Sequence, residues 1–212
     1  MSETTEPNAP VAETPSRPVE TSRWRDTFST LGIIILAPLV ALFLTAFVFQ
    51  SYQVEGPSME TTLQDKDRLI VTKLNRTWAR VTSHDYIPQR YEIIIFNHTG
   101  EYANSQFVTE KQLIKRVIGL PGDRVVVKDG VVTIYNDERP DGFLVDREGP
   151  EKNTISQSPG NIDDVVQDGE VFVMGDNRTN SLDSRNFGPI RAQDIVGKLR
   201  LRIYPFDHAN KF

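Results

Sequence analysis

The sequence predicts a mainly β fold, built as coiled sheets or a partly open barrel and preceded by one transmembrane helix. Three observations carry this. Short runs rich in Val, Ile and Phe follow one another between residues 69 and 204, with turn signals between them. One uncharged apolar run, Leu31–Phe49, precedes them. After that run, no stretch shows the apolar spacing of a long amphipathic helix.

The elements are justified in chain order. Residues 1–23 are rich in Glu, Pro, Ser and Thr and poor in large apolar side chains. Such a segment cannot bury enough surface to offset its ordering entropy, so residues 1–30 are read as a disordered cytoplasmic tail that acts as a spacer. Leu31–Phe49 is apolar except for Gly32, Pro38 and Thr45. At about 1.5 Å per residue it spans roughly 28 Å, close to the hydrocarbon thickness of a bilayer. Pro38 kinks such a helix without breaking it. Arg17, Arg23 and Arg25 precede the run, and no Lys or Arg follows before Lys66. The positive-inside rule therefore predicts a single-pass protein of the cell membrane, with a cytoplasmic N-terminus and residues 50–212 outside. A cleaved signal peptide fits poorly, because no small-x-small site follows the run. A core helix fits poorly too, because the domain behind it has only about 160 residues.

Candidate strands are Leu69–Leu74, Glu92–Asn97, Gln112–Ile118, Arg124–Lys128, Val131–Tyr135, Glu170–Met174 and Ile195–Tyr204. Pro121-Gly122-Asp123, Asp168-Gly169 and Gly175-Asp176-Asn177 separate them, and Asp129-Gly130 between two Val-rich runs predicts a tight hairpin. Residues 75–90 and 136–168 are polar and irregular, and read as loops.

Composition excludes several classes. The chain has no cysteine, which removes disulfides, thiolate zinc sites and Cys nucleophiles. Net charge is −5 with signs mixed along the chain, so no basic stripe marks a nucleic-acid surface. The three histidines, His84, His98 and His208, lack the spacing of a helical metal pair and read as surface residues. No metal and no cofactor is expected.

Ser is a weak nucleophile and needs a base. Lys replaces His in that role when burial disfavours its ammonium form and brings its pKa toward the working pH. Lys115 lies in a candidate strand where Leu113 and Val117 share its face. By periodicity alone it is either a snorkelling surface lysine or a desolvated functional one.

Three motifs bear on that choice. Val54-Glu55-Gly56-Pro57-Ser58-Met59-Glu60-Thr61-Thr62-Leu63 follows the apolar run. Leu113-Ile114-Lys115-Arg116-Val117-Ile118-Gly119-Leu120-Pro121-Gly122-Asp123 and Gly175-Asp176-Asn177-Arg178-Thr179-Asn180-Ser181-Leu182-Asp183-Ser184-Arg185 come later. In order and spacing they resemble bacterial type I signal peptidases, the membrane-bound Ser/Lys proteases that remove signal peptides from exported proteins. The likeness covers most of residues 50–200 and the apolar run before them. It implies the signal-peptidase form of the β fold.

The resemblance implies Ser58 as nucleophile and Lys115 as general base. It implies that Ser181 hydrogen-bonds the Lys115 amine, and that Asp183 and Arg185 form a structural ion pair beside the site. An acyl-enzyme forms on Ser58, and water activated by Lys115 resolves it. The oxyanion would be held by the Ser58 N–H and a group near Gly56, such donors being worth about 3–4 kcal/mol. Substrate would lie along the Gln112–Lys115 strand. Val54, Met59, Leu63, Leu113 and Ile114 are candidate walls for pockets taking small residues, and each also has an ordinary core reading. The implied partners are signal-peptide-bearing preproteins emerging from the export machinery, and the lipid bilayer.

The motifs depart from the family pattern at three places. Thr61 stands where Pro is usual, which is expected to change the loop locally without loss of chemistry. Gly56 stands where some members place an oxyanion-donating Ser, leaving more work to backbone N–H groups. Arg90-Tyr91-Glu92 stands for Arg-Gly-Asp, with Glu92 as the acid and Tyr91 forcing a different turn. Two other readings stay open. One is the self-cleaving domain of SOS-response repressors, which should carry a DNA-binding domain where this chain has an apolar run. The other is a membrane-anchored β-domain that binds partners without catalysis, which a serine-directed acylating probe would leave unlabelled.

Overall fold

A computed structural model of the chain describes residues 23–82, 85–100, 109–150 and 157–212. Most of the expected tail and His84 lie outside them. The chain divides into one unit ending at Ala41 and another, Leu42–Phe212.

The first unit contains most of helix α1, Arg23–Phe43, with Pro38 inside it. The side chains of α1 are described from Gly32 onward, and Ile33–Leu36, Leu39 and Val40 are all exposed. Among the described residues, no helix is long and apolar enough to cross a membrane. Helical geometry continues as a π-helical turn over Leu44–Val48, and Phe49 already belongs to a strand.

The second unit is mainly antiparallel β. Its elements are β1 (Phe49–Gln53), β2 (Arg68–Thr72), α2 (Leu74–Thr82), β3 (Ile93–Gly100), β4 (Thr109–Gly119), β5 (Arg124–Lys128), β6 (Val131–Tyr135), β7 (Phe143–Leu144), α3 (Val145–Glu148), β8 (Ile162–Val165), β9 (Glu170–Met174), α4 (Ser184–Phe187), β10 (Ile190–Arg191), β11 (Ile195–Tyr204) and β12 (Asn210–Lys211). The larger sheet has the order β1-β2-β11-β3-β4-β9-β10, with β12 on β11. Its end strands do not pair, so it is an open sheet and not a closed barrel. The smaller sheet has the order β7-β6-β5-β8. Register shifts in β11 at Ile195/Gly197, Leu199/Leu201 and Arg202/Tyr204, and in β4 at Val117/Gly119, add the twist that coils the large sheet.

Two loop expectations need correction. Residues 74–82 form α2, whose Ala79 is buried while Leu74, Trp78 and Val81 face outward. Residues 136–168 contain β7, α3 and β8, and β8 completes the smaller sheet beside β5. These elements are too short for their periodicity to be seen in sequence.

Strand β4 is the spine that positions the site. It pairs with β3 through Lys115 opposite Ile94, and with β9 through Arg116 opposite Met174. One core packs Ile94, Phe96, Val117, Val171, Val173, Ile190 and Ile195. A second packs Val54, Met59, Leu63, Leu69, Ile93 and Leu199. The third motif follows β9, where Asp183 caps α4 by accepting the Arg185 N–H at 3.2 Å.

Candidate active site

Met59 and Leu63 are fully buried in the second core, and they pin the loop between them and Ser58 to the sheet. Neither is among the residues lining the cleft beside Ser58, so of their two expected roles, pocket wall and core, the structure places both in the core. Ser58 is held from the other side by the third motif. The Asn177 N–H donates to the Ser58 carbonyl at 3.1 Å, and the Asn177 carboxamide donates to the Pro57 carbonyl at 3.1 Å. Gly175 is required here, because a Cβ on it would collide with the Ser58 carbonyl and the Ser181 hydroxyl.

Lys115 is only 3% exposed, and its Nζ donates to Ser58 Oγ at 2.7 Å and to the Ile114 carbonyl at 3.0 Å. Burial pulls its pKa down from the ordinary 10.5 to about 8, against the opposing pull of the Asp183 and Asp176 carboxylates. Among the described residues, the Ser58 N–H has no protein acceptor. Gly56, at φ +87°, donates its N–H to Asp65 Oδ1 at 3.0 Å.

Ser181 Oγ is buried against Gly175 and makes no hydrogen bond with the described residues. The expected bond to Lys115 is absent, because the amine is directed to Ser58 and to the Ile114 carbonyl. Asp183 is fully buried and accepts from Arg185 Nε and Nη2 at 2.8 Å each and from the Gly175 N–H at 3.0 Å. That carboxylate thus fixes the turn on which Ser181 and Gly175 face Ser58.

A cleft of about 290 Å³ opens beside the dyad. Val54, Leu113 and Ile114 line it with Ser58 and Lys115, as do Tyr52, Gln53, Glu55, Leu69, Ile95 and Gln112. Tyr52 and Gln53 belong to β1, a strand the sequence hides because its Phe-Gln-Ser-Tyr-Gln run looks polar. Sequence reasoning also misses Arg116. Its buried guanidinium donates to Asp176 Oδ1 at 2.8 Å and Oδ2 at 2.6 Å, to the Tyr91 carbonyl at 2.9 Å and to Thr62 Oγ1 at 3.2 Å. One side chain thereby ties β4, the Ser58 loop and the third motif together. Among the described residues, no group of three or more His, Asp or Glu side chains is placed to hold a metal ion. His98 is half-buried and stacks on Phe187 with ring centroids 4.2 Å apart.

Two of the departures have a backbone explanation. Thr61 has φ +81°, which a proline ring, fixed near −65°, cannot adopt. Thr61→Pro is therefore expected to lower stability by more than about 1 kcal/mol, and Thr61→Gly to raise it, in thermal melts. Tyr91 has φ +71° at the position of the family's Gly. Arg90 pairs with Asp123 at 2.8 Å, and Glu92 with Lys198.

The profile of the family "Signal peptidase, peptidase S26" matches residues 27–204. A signal peptidase I of Bacillus licheniformis is 34% identical over 193 residues, 90% of this chain and 96% of that one. A signal peptidase I of Bacillus caldolyticus is 36% identical over 81% of this chain and 88% of its own length. A crystal structure of a signal peptidase I from Enterococcus faecalis is 26% identical and aligns with 54% of this chain and 98% of that one, at a TM-score of 0.37. On the extent of the family match and of these identities, the chain belongs to the signal peptidase family, peptidase S26, and is a serine endopeptidase of the type I signal peptidases.

Proposed function

We propose that this enzyme cleaves N-terminal signal peptides from exported preproteins by a Ser58/Lys115 dyad, from an extracytoplasmic domain (residues 50–212) held to the membrane by Leu31–Phe49. The observation that carries the reading is the 2.7 Å contact between a buried Lys115 amine and the Ser58 hydroxyl. Neutral Lys115 takes the Ser58 proton as Oγ attacks the scissile carbonyl. The N–H of Ser58 meets the oxyanion. Lys115 then gives its proton to the departing amine, and the mature protein leaves. Lys115 next activates water, which releases the signal peptide from Ser58. Asp183 and Arg185 hold the turn that keeps the Ser181 hydroxyl against Gly175, beside the loop of the nucleophile. The preprotein lies extended between β1 and β4, with small side chains entering the cleft lined by Val54, Leu113 and Ile114. The uncharged run Leu31–Phe49, and the exposed apolar side chains of α1, support the anchor and the topology with a cytoplasmic residue 1–30 tail.

A serine-directed acylating probe tests the chemistry. Labelling, read by mass spectrometry of peptides, is expected at Ser58, with a rate that rises tenfold per pH unit below about 8 and levels above it. An unlabelled Ser58, or a rate that climbs to the ordinary lysine range near 10.5, would sink the neutral-lysine mechanism.

A further inference from the structure

Helix α2 has no role in the reaction, yet it presents an unusual surface. Leu74, Trp78 and Val81 are 48%, 71% and 75% exposed. At about 100° per residue they fall within an arc of about 60°, opposite the buried Ala79. They form one apolar stripe along the outer face. The helix is short and carries no acid, and residues 68–82 hold Arg68, Lys73, Arg76 and Arg80 with no Asp or Glu among them. An outward apolar stripe that carries a Trp, on a segment whose charged residues from 68 to 82 are all basic, is the composition of a helix lying in a membrane interface.

The position of α2 within the domain says which surface covers it. The Thr77 hydroxyl donates to the Phe47 carbonyl at 3.3 Å, and the Lys73 N–H to the Val48 carbonyl at 2.9 Å. Both acceptors belong to the π-helical turn through which the apolar run enters the domain. Phe43, Leu44 and Phe47 of that entry are exposed as well. The outward stripe of α2 is thus continuous with the end of the apolar run, and one apolar phase can cover both.

We propose that α2 is an interfacial helix, with Leu74, Trp78 and Val81 seated among the lipid headgroups and acyl ends of the outer leaflet. This rests on reading Leu31–Phe49 as the anchor. Its effect is to fix the tilt of the domain on the membrane, since one helix through the bilayer leaves rotation free and a second contact beside it does not.

The test uses the full chain, with Trp24→Phe leaving Trp78 as the sole Trp. It is reconstituted into phosphatidylcholine/phosphatidylglycerol vesicles whose acyl chains carry bromine, with iodide on both sides in a parallel sample. The expected result is blue-shifted Trp78 emission, at least halved by bromolipid and little affected by iodide. Leu74→Ser/Val81→Ser should reverse that preference without changing cleavage of a soluble peptide. Water-like emission quenched by iodide but not bromolipid, from protein that stays with the vesicles through an alkaline carbonate wash, overturns the interfacial helix and leaves the anchor standing. Release by carbonate overturns the anchor reading and this one with it.

Discussion

Ser58→Ala and Lys115→Ala each lose at least about 1000-fold in kcat on a preprotein with an Ala-x-Ala site, while KM changes little. The first removes the atom that forms the acyl bond. The second leaves the hydroxyl without an acceptor for its proton, at a place where Lys115 is the only base in contact with it among the described residues. Both side chains line the cleft, but most of its lining, including Tyr52, Val54, Leu113 and Ile114, is unchanged, so the loss should fall mainly on the chemical step. The double variant should be scarcely worse than either single one, because the two residues act as a unit. Lys115→Arg should fail as well, since a guanidinium stays charged at every working pH.

Stability supplies the control that separates lost chemistry from a lost fold. Folded Lys115 titrates near 8 and the unfolded residue near 10.5, so between those values the unfolded chain binds more protons. Stability of the wild type therefore rises as pH climbs from about 8 to about 10.5. Lys115→Met lacks that rise, and at pH 7 it should melt no lower than the wild type, because it no longer buries a cation. An inactive Lys115→Met that melts well below the wild type at pH 7 would point to misfolding and not to a missing base.

The second large effect concerns Arg116. Arg116→Met leaves the buried Asp176 carboxylate with Thr62 as its remaining side-chain donor, and should lower stability by roughly 3–5 kcal/mol. Against the 5–15 kcal/mol total of an ordinary domain, that is enough to deplete the folded protein. Arg116→Met combined with Asp176→Leu should recover much of the loss, because no charge is then left unpaired. The double variant has a second signature. The Asp176 charge holds the Lys115 pKa up, so its removal should move the acid limb of the rate profile below pH 8. Chemical denaturation and a pH–rate profile read the two effects independently.

Much of this molecule was legible in its residues. The Val-rich strands β5, β6 and β9 and the long β11 have the expected bounds, because each is closed by Gly, Asp or Pro turn chemistry. Strand β1 was hidden by its polar side chains, and α2 by apolar residues that face outward and so do not announce a core. The nearness of Ser58 and Lys115 came from the motifs alone, since periodicity left Lys115 open between two roles. In sequence, Met59 and Leu63 stay open between wall and core, because apolar neighbours of Ser58 look alike whether they face substrate or core. The Arg116–Asp176 pair joins residues far apart in sequence, and only the register of β4 against β9 brings them together.

The seating of Met59 and Leu63 under Ser58 has a consequence for how the enzyme ages and fails. Their side chains share a core with Leu69, Ile93 and Leu199 on three separate strands. The loop bearing Ser58 therefore has no cheap local opening of its own, and its exchange with solvent belongs to the cooperative unit of the whole sheet. An enzyme built this way does not fade by loosening at the site. It keeps a correctly placed hydroxyl until the fold itself gives way.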